Sequence, residues 1–282
     1  MIKIAQKVVL WSDMHNMQKN RKKSYKPDLE IGKIYAIWLR EFKVFLREKS
    51  RLIASTFTPL LWLFVLGGGL GSTMSSPIHT SNIDYQKFIF PGIVIMSVIF
   101  SSVFFGAYII WDRKFDFLKS VMVAPVRRST IFIGKTFGGM STSLIQAFIL
   151  LVIGIVIGIN YTPYSILSFV LIVLMLSFTL TSLGLAIGSF MESLEGFQLI
   201  VSFVVFPLYF LSGALFPLDN IPPWLSILTS INPATYAVDA LRFSMLGISG
   251  KNLFIVNIGI LFFSSIVLSI IGIWSFRRMK AI

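Results

Sequence analysis

The sequence predicts an all-α polytopic membrane protein. Six transmembrane helices are expected, with an interfacial amphipathic helix before the first. A short cytosolic helix is expected between the second and third, and two short re-entrant helices before the sixth. Three observations predict this. Hydrophobic residues make up 55% of the 282 residues and charged residues only 13%, against roughly 25% charged in soluble domains. Several charge-free stretches are long enough to cross a hydrocarbon core. The Lys and Arg behind the net charge of +13 fall almost entirely in segments on one side.

Residues 1–30 read as a basic cytosolic tail. Val8 to Trp11 is too short an apolar run for a signal peptide, and no small-residue cleavage site follows it. The cluster Lys19, Arg21, Lys22, Lys23 and Lys26 suits a solvated, disordered tail, with weak attraction to anionic lipid as the functional alternative. A helix is expected over 31–48. Ile31, Tyr35, Trp38, Phe42 and Phe45 step along one face, while Lys33, Arg40, Lys43 and Arg47 take the other. Such a helix lies in the membrane interface. Residues 31–282 as a whole read as one transmembrane domain.

Spans are read from the absence of charge, over about 52–72, 88–110, 138–159, 165–190, 196–218 and 253–274. Each matches a core of roughly 30 Å at about 1.5 Å rise per residue. The long uncharged stretch from Thr136 to Met191 divides at Asn160-Tyr161-Thr162-Pro163, a turn sequence. With both termini in the cytosol, 22 of the 25 Lys and Arg lie inside, a strong positive-inside bias. Between spans five and six, Pro222-Pro223 opens one short helix. Asn232-Pro233 supplies an N-cap and a first-turn proline for a second, running to about Leu246. Asp239 and Arg242 are spaced to pair on it. Backbone breaks at that depth need protein cover.

The stretch Trp111–Lys135 carries six basic residues and two acids between two apolar spans. Phe115, Leu118 and Met122 share a helical face, and Ala124-Pro125 ends the helix. A helix across the cytosolic mouth of a bundle can present one face to a soluble partner. Phe115, Leu118 and Met122 are expected to be buried in that partner's cleft. Asp116 and Lys119 flank them, and Arg127 and Arg128 steer an acidic surface from the rim. Pro125 aims the helix. Glu192 and Glu195, in the cytosolic turn between spans four and five, form a solvated turn that touches the same partner.

Other chemistries find little support. The chain has no cysteine and only two histidines, His15 and His79, in separate loops, so a Cys or His metal site is not expected. Gly134-Lys135-Thr136 imitates the end of a phosphate-binding loop, but Ser129 stands where that motif needs glycine. Gly67–Gly71 closes a span and follows no strand, so it is no nucleotide fingerprint. No Asp, Glu, Lys or Arg falls deep in the six spans as drawn, which argues against an ion relay. In span five Pro207 should bend the helix. Phe203, Phe206, Tyr209 and Phe210 then supply rings and a hydroxyl for a pathway suited to an amphiphilic cargo.

Three segments, FIFPGIVIMSVIFSS, WDRKFDFLKSVMVAPVRRSTIFIGK and LSGALFPLDNIPPWL with NPATYAVDALR, give a resemblance to a known family. From about Ile34 onward the chain resembles the ABC-2 type permeases, the membrane subunits of ATP-binding-cassette exporters. The nearest branch is that of daunorubicin-resistance permeases and nodulation-factor exporters. That family often carries glycine at the position of Asp116 and glutamate at that of Ser120. The resemblance implies that Trp111–Lys135 contains a coupling helix. It implies no catalytic residue and no cofactor in this chain, with ATP and magnesium held by a separate ABC ATPase. It further implies two ATPase copies and a second permease copy, as a homodimer in membrane lipid. Cargo (a drug, lipid or glycolipid) would cross alongside spans one, two and five. No nucleic-acid partner is implied.

Three rival readings are an ATPase-independent secondary transporter, a membrane scaffold, and an enzyme acting on lipid-linked substrates. The first would show intramembrane charges or an internal repeat. The enzyme would need clustered acids or histidines at a membrane surface, where Asp112 and Asp116 are the near candidates.

Overall fold

The computed structural model describes residues 27–70, 85–118, 121, 126–218, 221–248 and 252–279. The basic tail to residue 26, the loop 71–84, and Lys119, Met122 and Pro125 of the charged stretch lie outside the described residues. Among the described residues are ten α-helices. Helix α1 is Pro27–Arg47 and α2 is Lys49–Phe64, which widens into a π-helix over Val65–Leu70. Next come α3 (Tyr85–Phe104), α4 (Ala107–Lys114), α5 (Arg128–Val156) and α6 (Pro163–Phe190). The chain ends with α7 (Leu194–Phe210), α8 (Pro223–Ile231), α9 (Pro233–Leu246) and α10 (Phe254–Arg278).

Five stretches are long and apolar enough to span a membrane: Leu52–Gly69, Tyr85–Lys114, Arg128–Val156, Pro163–Phe190 and Phe254–Arg278. Among the described residues, the other segment expected to span, over 196–218, forms a shorter apolar helix. The stretch read as a span over 196–218 is helical only to Phe210, and α7 has 17 residues. Leu211 caps it, and Gly213 follows in the left-handed region at φ 72°. Pro207 removes one backbone donor near that end.

The core forms around α3 and α6. Phe88 to Ile99 of α3 are buried. Glycines let α6 lie against the α3–α4 junction. A Cβ on Gly184 would run into the carbonyl of Val103, and one on Gly188 into that of Gly106. The Gly184–Gly188 spacing is the small-xxx-small pattern that brings membrane helices close. Helix α6 starts on a capping box between Thr162 and Ser165, with Pro163 in its first turn. Helices α2 and α10 lie on the outside and keep long apolar faces exposed, among them Phe57, Phe64, Phe262 and Phe263.

The short pair before α10 is built from proline and asparagine chemistry. Asn232 Oδ1 accepts from Ala234 N at 3.0 Å, and Asn232 Nδ2 donates to the Leu208 carbonyl at 2.7 Å. One side chain thus caps α9 and ties it to α7, with Pro233 completing the first turn of α9.

Candidate functional site

The two ends of the bundle differ in chemistry. At the end where α3 begins, Arg242 of α9 is buried. It donates to the Gly213 carbonyl at 3.0 Å and its guanidinium lies 4.0 Å from the centre of the Phe88 ring. Arg242 thereby braces the turn after α7 as well as α3. Asp239 and Arg242 line one pocket of about 180 Å³ with Phe88, Thr229 and Tyr236.

At the other end, where α4 finishes and α5 starts, four charges meet. Lys135 is fully buried, and its Nζ lies 2.8 Å from Glu41 Oε1 and in contact with Asp112 Oδ2. Arg40 reaches both acids, at 2.7 Å to Glu41 and 2.9 Å to Asp112. Burial works against the Arg40 charge, yet Glu41 and Asp112 beside it hold the guanidinium above its ordinary range. Two cations and two anions balance, which is what allows charge to be buried here. The cluster joins α1, α4 and α5. Further bonds fix the same joint: Trp38 Nε1 donates to Ser141 Oγ at 2.9 Å, and Thr130 Oγ1 donates to Glu30. The bond from Thr130 draws the Glu30 carboxyl below the usual carboxylate range, with burial opposing. Gly134 and Gly138 give α1 room, since a Cβ on either would meet Ile37 or Glu41.

This arrangement changes the expected start of the third span and adds a packing contact for the first helix. Lys135 lies well inside α5, which begins at Arg128, ten residues before the span start expected at 138. Helix α1 packs on α5 through Ile37 and Glu41, while Ile31 and Tyr35 of its aromatic face remain exposed.

Beyond α4 the described residues of the charged stretch divide between surface and core. Phe115 is 70% exposed and stacks on Trp111 with ring centres 5.6 Å apart. Asp116 has φ 56° and is the one non-glycine among the described residues with positive φ. Leu118 is 2% exposed and buried among Phe105, Ile109, Phe132 and Phe276 of the same chain. The expectation that Leu118 anchors in a partner is therefore corrected, because its side chain is already used in this chain's core. Arg128, expected at the rim, has bonds within the chain. It donates to the carbonyls of Arg277 and Met279, both at 2.8 Å, and so satisfies the C-terminal end of α10. Arg127 is exposed at the start of α5. Beside the stretch, Glu192 and Glu195 line a cleft of about 550 Å³ with Trp111, Arg113 and Lys114. Arg113 donates to the Gly188 carbonyl at 2.8 Å and to that of Met191, holding the floor of that cleft.

The aromatic residues of α7 divide. Phe203, Phe206 and Phe210 face outward. Phe206 meets Phe100 of α3 edge-on at 6.0 Å and stacks with Phe210 at 6.4 Å. Tyr209 points inward, 4% exposed, and its ring meets that of exposed Phe210 at 5.5 Å.

Sequence reasoning missed the Arg40–Glu41–Asp112–Lys135 cluster. Its one local signal was Glu41, an acid next to the basic face of the first helix.

Comparison with known proteins adds the lineage. Residues 32–246 match the family described as ABC-2 type transporter. The chain is 33% identical over 216 residues to a protein of Porphyra purpurea named as a transport permease, ycf38, covering 76% of this chain and 74% of that one. It is 30% identical over 224 residues to the inner membrane transport permease YadH of Escherichia coli (strain K12), covering 76% and 83%. It is 25% identical over 218 residues to nodulation protein J of Neorhizobium galegae, covering 75% and 80%. On this match, and on its bundle of apolar membrane helices, the chain belongs to the ABC-2 type transporter family of membrane permeases.

Proposed function

We propose that this chain is the membrane subunit of an ATP-driven exporter that moves an amphiphilic drug, lipid or glycolipid outward. A separate ABC ATPase would supply the work, with ATP and magnesium held there. Two ATPases and two copies of this permease would make the assembly. The observation that carries this reading, beside family membership, is the joint at the charged end. The stretch after α4 starts next to Asp112 and returns through Lys135, and both are clamped to α1. A load applied at exposed Phe115, in a segment held this way at both ends, would reach three helices at once. Phe115, Asp116, Lys119, Met122, Pro125 and Arg127 are the proposed contacts, with Glu192 and Glu195 on the adjoining turn. Termini and the charged end would face the cytosol, and α8 and α9 the outside. Cargo would pass the exposed rings of α7 and the face of α2 between two copies.

Copurification tests this. Tagged permease drawn from native membranes should bring a soluble ABC ATPase with it, and cargo should raise the rate of ATP hydrolysis. Recovery of the permease without an ATPase, under conditions that preserve other membrane complexes, would overturn the reading.

A second reading, an ATPase-independent secondary transporter, gains one observation: buried Lys135 between two carboxylates resembles the groups that ion relays use. Transport into vesicles that follows an ion gradient and ignores ATP would favour it.

A further inference from the structure

Between α1, α2, α3 and α5 lies a half-open chamber of about 170 Å³. Its aromatic lining is Phe45, Phe100 and Phe104, and its polar lining is Ser55, Ser97, Ser101, Thr142 and Gln146. Ser97 Oγ and Gln146 Oε1 are buried and have no hydrogen-bond partner among the described residues. Both side chains are nearly inaccessible, at 2% and 3% exposure. The amide of Gln146 is oriented by its other end, since Nε2 donates to Ser55 Oγ at 2.7 Å. Its carbonyl oxygen is therefore held as an acceptor, and the Ser97 hydroxyl is left able to donate. Buried polar groups without partners are rare in folded proteins and costly to keep. Two such residues on one chamber mark a place built to meet a ligand.

The chemistry of the lining narrows that ligand. No ionisable side chain lines the chamber, so a charged head group would find no counterion in a setting of low dielectric. A neutral group that both donates and accepts fits: donation to Gln146 Oε1 and acceptance from Ser97. The volume admits roughly five or six water-sized groups at about 30 Å³ each, enough for a small polyol or amide head. The aromatic wall suits an attached chain. Phe100 also meets Phe206 edge-on at 6.0 Å, which connects the chamber to the exposed rings of α7.

We propose that this chamber binds the neutral, hydroxyl- or amide-bearing head of an amphiphile. Binding itself does not depend on the exporter reading; only the naming of the occupant as cargo rests on it.

The test uses full-length permease in phosphatidylcholine nanodiscs and a monoacylglycerol with a photoreactive acyl chain. Cross-links should map to α3 and α5 and be competed by excess monoacylglycerol, but not by its analogue with both hydroxyls methylated. Ser97→Ala removes one oxygen and should weaken competition about fivefold, as the loss of one hydrogen bond does. Ser97→Ala with Gln146→Leu should weaken it by more than tenfold, at an unchanged unfolding midpoint. Equal competition by the methylated analogue, insensitivity to Ser97→Ala, or labelling only on outer helix faces would overturn the proposal and leave a chamber that holds water. With the ATPase co-reconstituted, loss of cross-linking on ATP turnover identifies the occupant as cargo and persistence identifies a resident lipid; both uphold the site. If no ATPase can be found, the binding arms still decide.

Discussion

Lys135 Nζ lies 2.8 Å from Glu41 Oε1, with each side chain about 1% exposed. The partners are 94 residues apart in sequence. Asp112 completes the arrangement from α4, so one buried ammonium ties the first helix to both sides of the charged stretch. Lys135→Met would keep length and remove charge, leaving two carboxylates facing Arg40 alone. Breaking a buried pair from one side costs about 3–5 kcal/mol. The expected result is a markedly lower unfolding midpoint in detergent. Lys135→Met combined with Glu41→Gln should cost less than the sum of the single changes. Strict additivity in that double-mutant cycle would show that the two groups do not interact.

A second prediction concerns Asp116, whose backbone sits at φ 56°. Aspartate tolerates the left-handed region better than most residues, and β-branched residues tolerate it poorly. Asp116→Gly should stay within about 0.5 kcal/mol of wild-type stability, relief of strain being offset by added freedom in the unfolded chain. Asp116→Val should lose about 1–2 kcal/mol. The left-handed backbone at this position is then the local reason that glycine suits it. Equal stability of the two variants in a chemical-denaturation series would remove that explanation.

The contact of α6 with the α3–α4 junction gives a third. Gly184→Ala places a methyl against the Val103 carbonyl, a backbone atom that cannot turn aside. The helices must part, at a cost of about 1–3 kcal/mol. By contrast Gly259→Ala on α10, where the added carbon meets nothing within 4 Å, should be neutral or slightly stabilising. Scanning fluorimetry on the two purified proteins checks the difference, and matched melting points would show that the helices are free to adjust.

The rings of α7 give a fourth. Phe206→Ala and Phe210→Ala alter an exposed face and should change cargo preference at normal expression. Tyr209→Ala empties a buried position and should instead lower stability by about 3 kcal/mol or more. If all three changed expression alike and cargo preference not at all, the rings would be packing or lipid-facing groups.

These cases also show what the sequence could reveal. The limits of α8 and α9 were legible because Pro222-Pro223 and Asn232-Pro233 act within a turn of themselves. Apolar runs located the long helices for the same local reason. The start of α5 was not legible from absence of charge, because Lys135 is neutralised by residues far along the chain. The end of α7 was hidden as well: nothing charged marks the break at Leu211–Gly213, and the Arg242 that braces Gly213 comes 29 residues later. Leu118 misled for a related reason. Periodicity put it on a face with Phe115, but whether that face meets a partner or Phe132 and Phe276 is settled by tertiary packing.

The last prediction separates those two residues. Phe115 is exposed and Leu118 is buried in the same short stretch, so one substitution at each position asks different questions. Leu118→Asp puts a charge into an apolar cluster with no partner for it, and should lower expression and stability severely. Phe115→Asp removes an exposed ring, keeps every Lys and Arg that sets topology, and should leave folding intact. If the stretch docks on an ATPase, exposed Phe115 is an apolar anchor available to it, and interface energy concentrates in such residues. Phe115→Asp should then weaken ATPase copurification by tenfold or more and uncouple cargo from ATP hydrolysis, at a wild-type melting point. Phe115→Ala should have a smaller effect in the same direction, since it loses contact area without introducing charge. Should well-folded Phe115→Asp hold its ATPase and transport as the wild type does, the exposed end of this stretch is not the coupling contact.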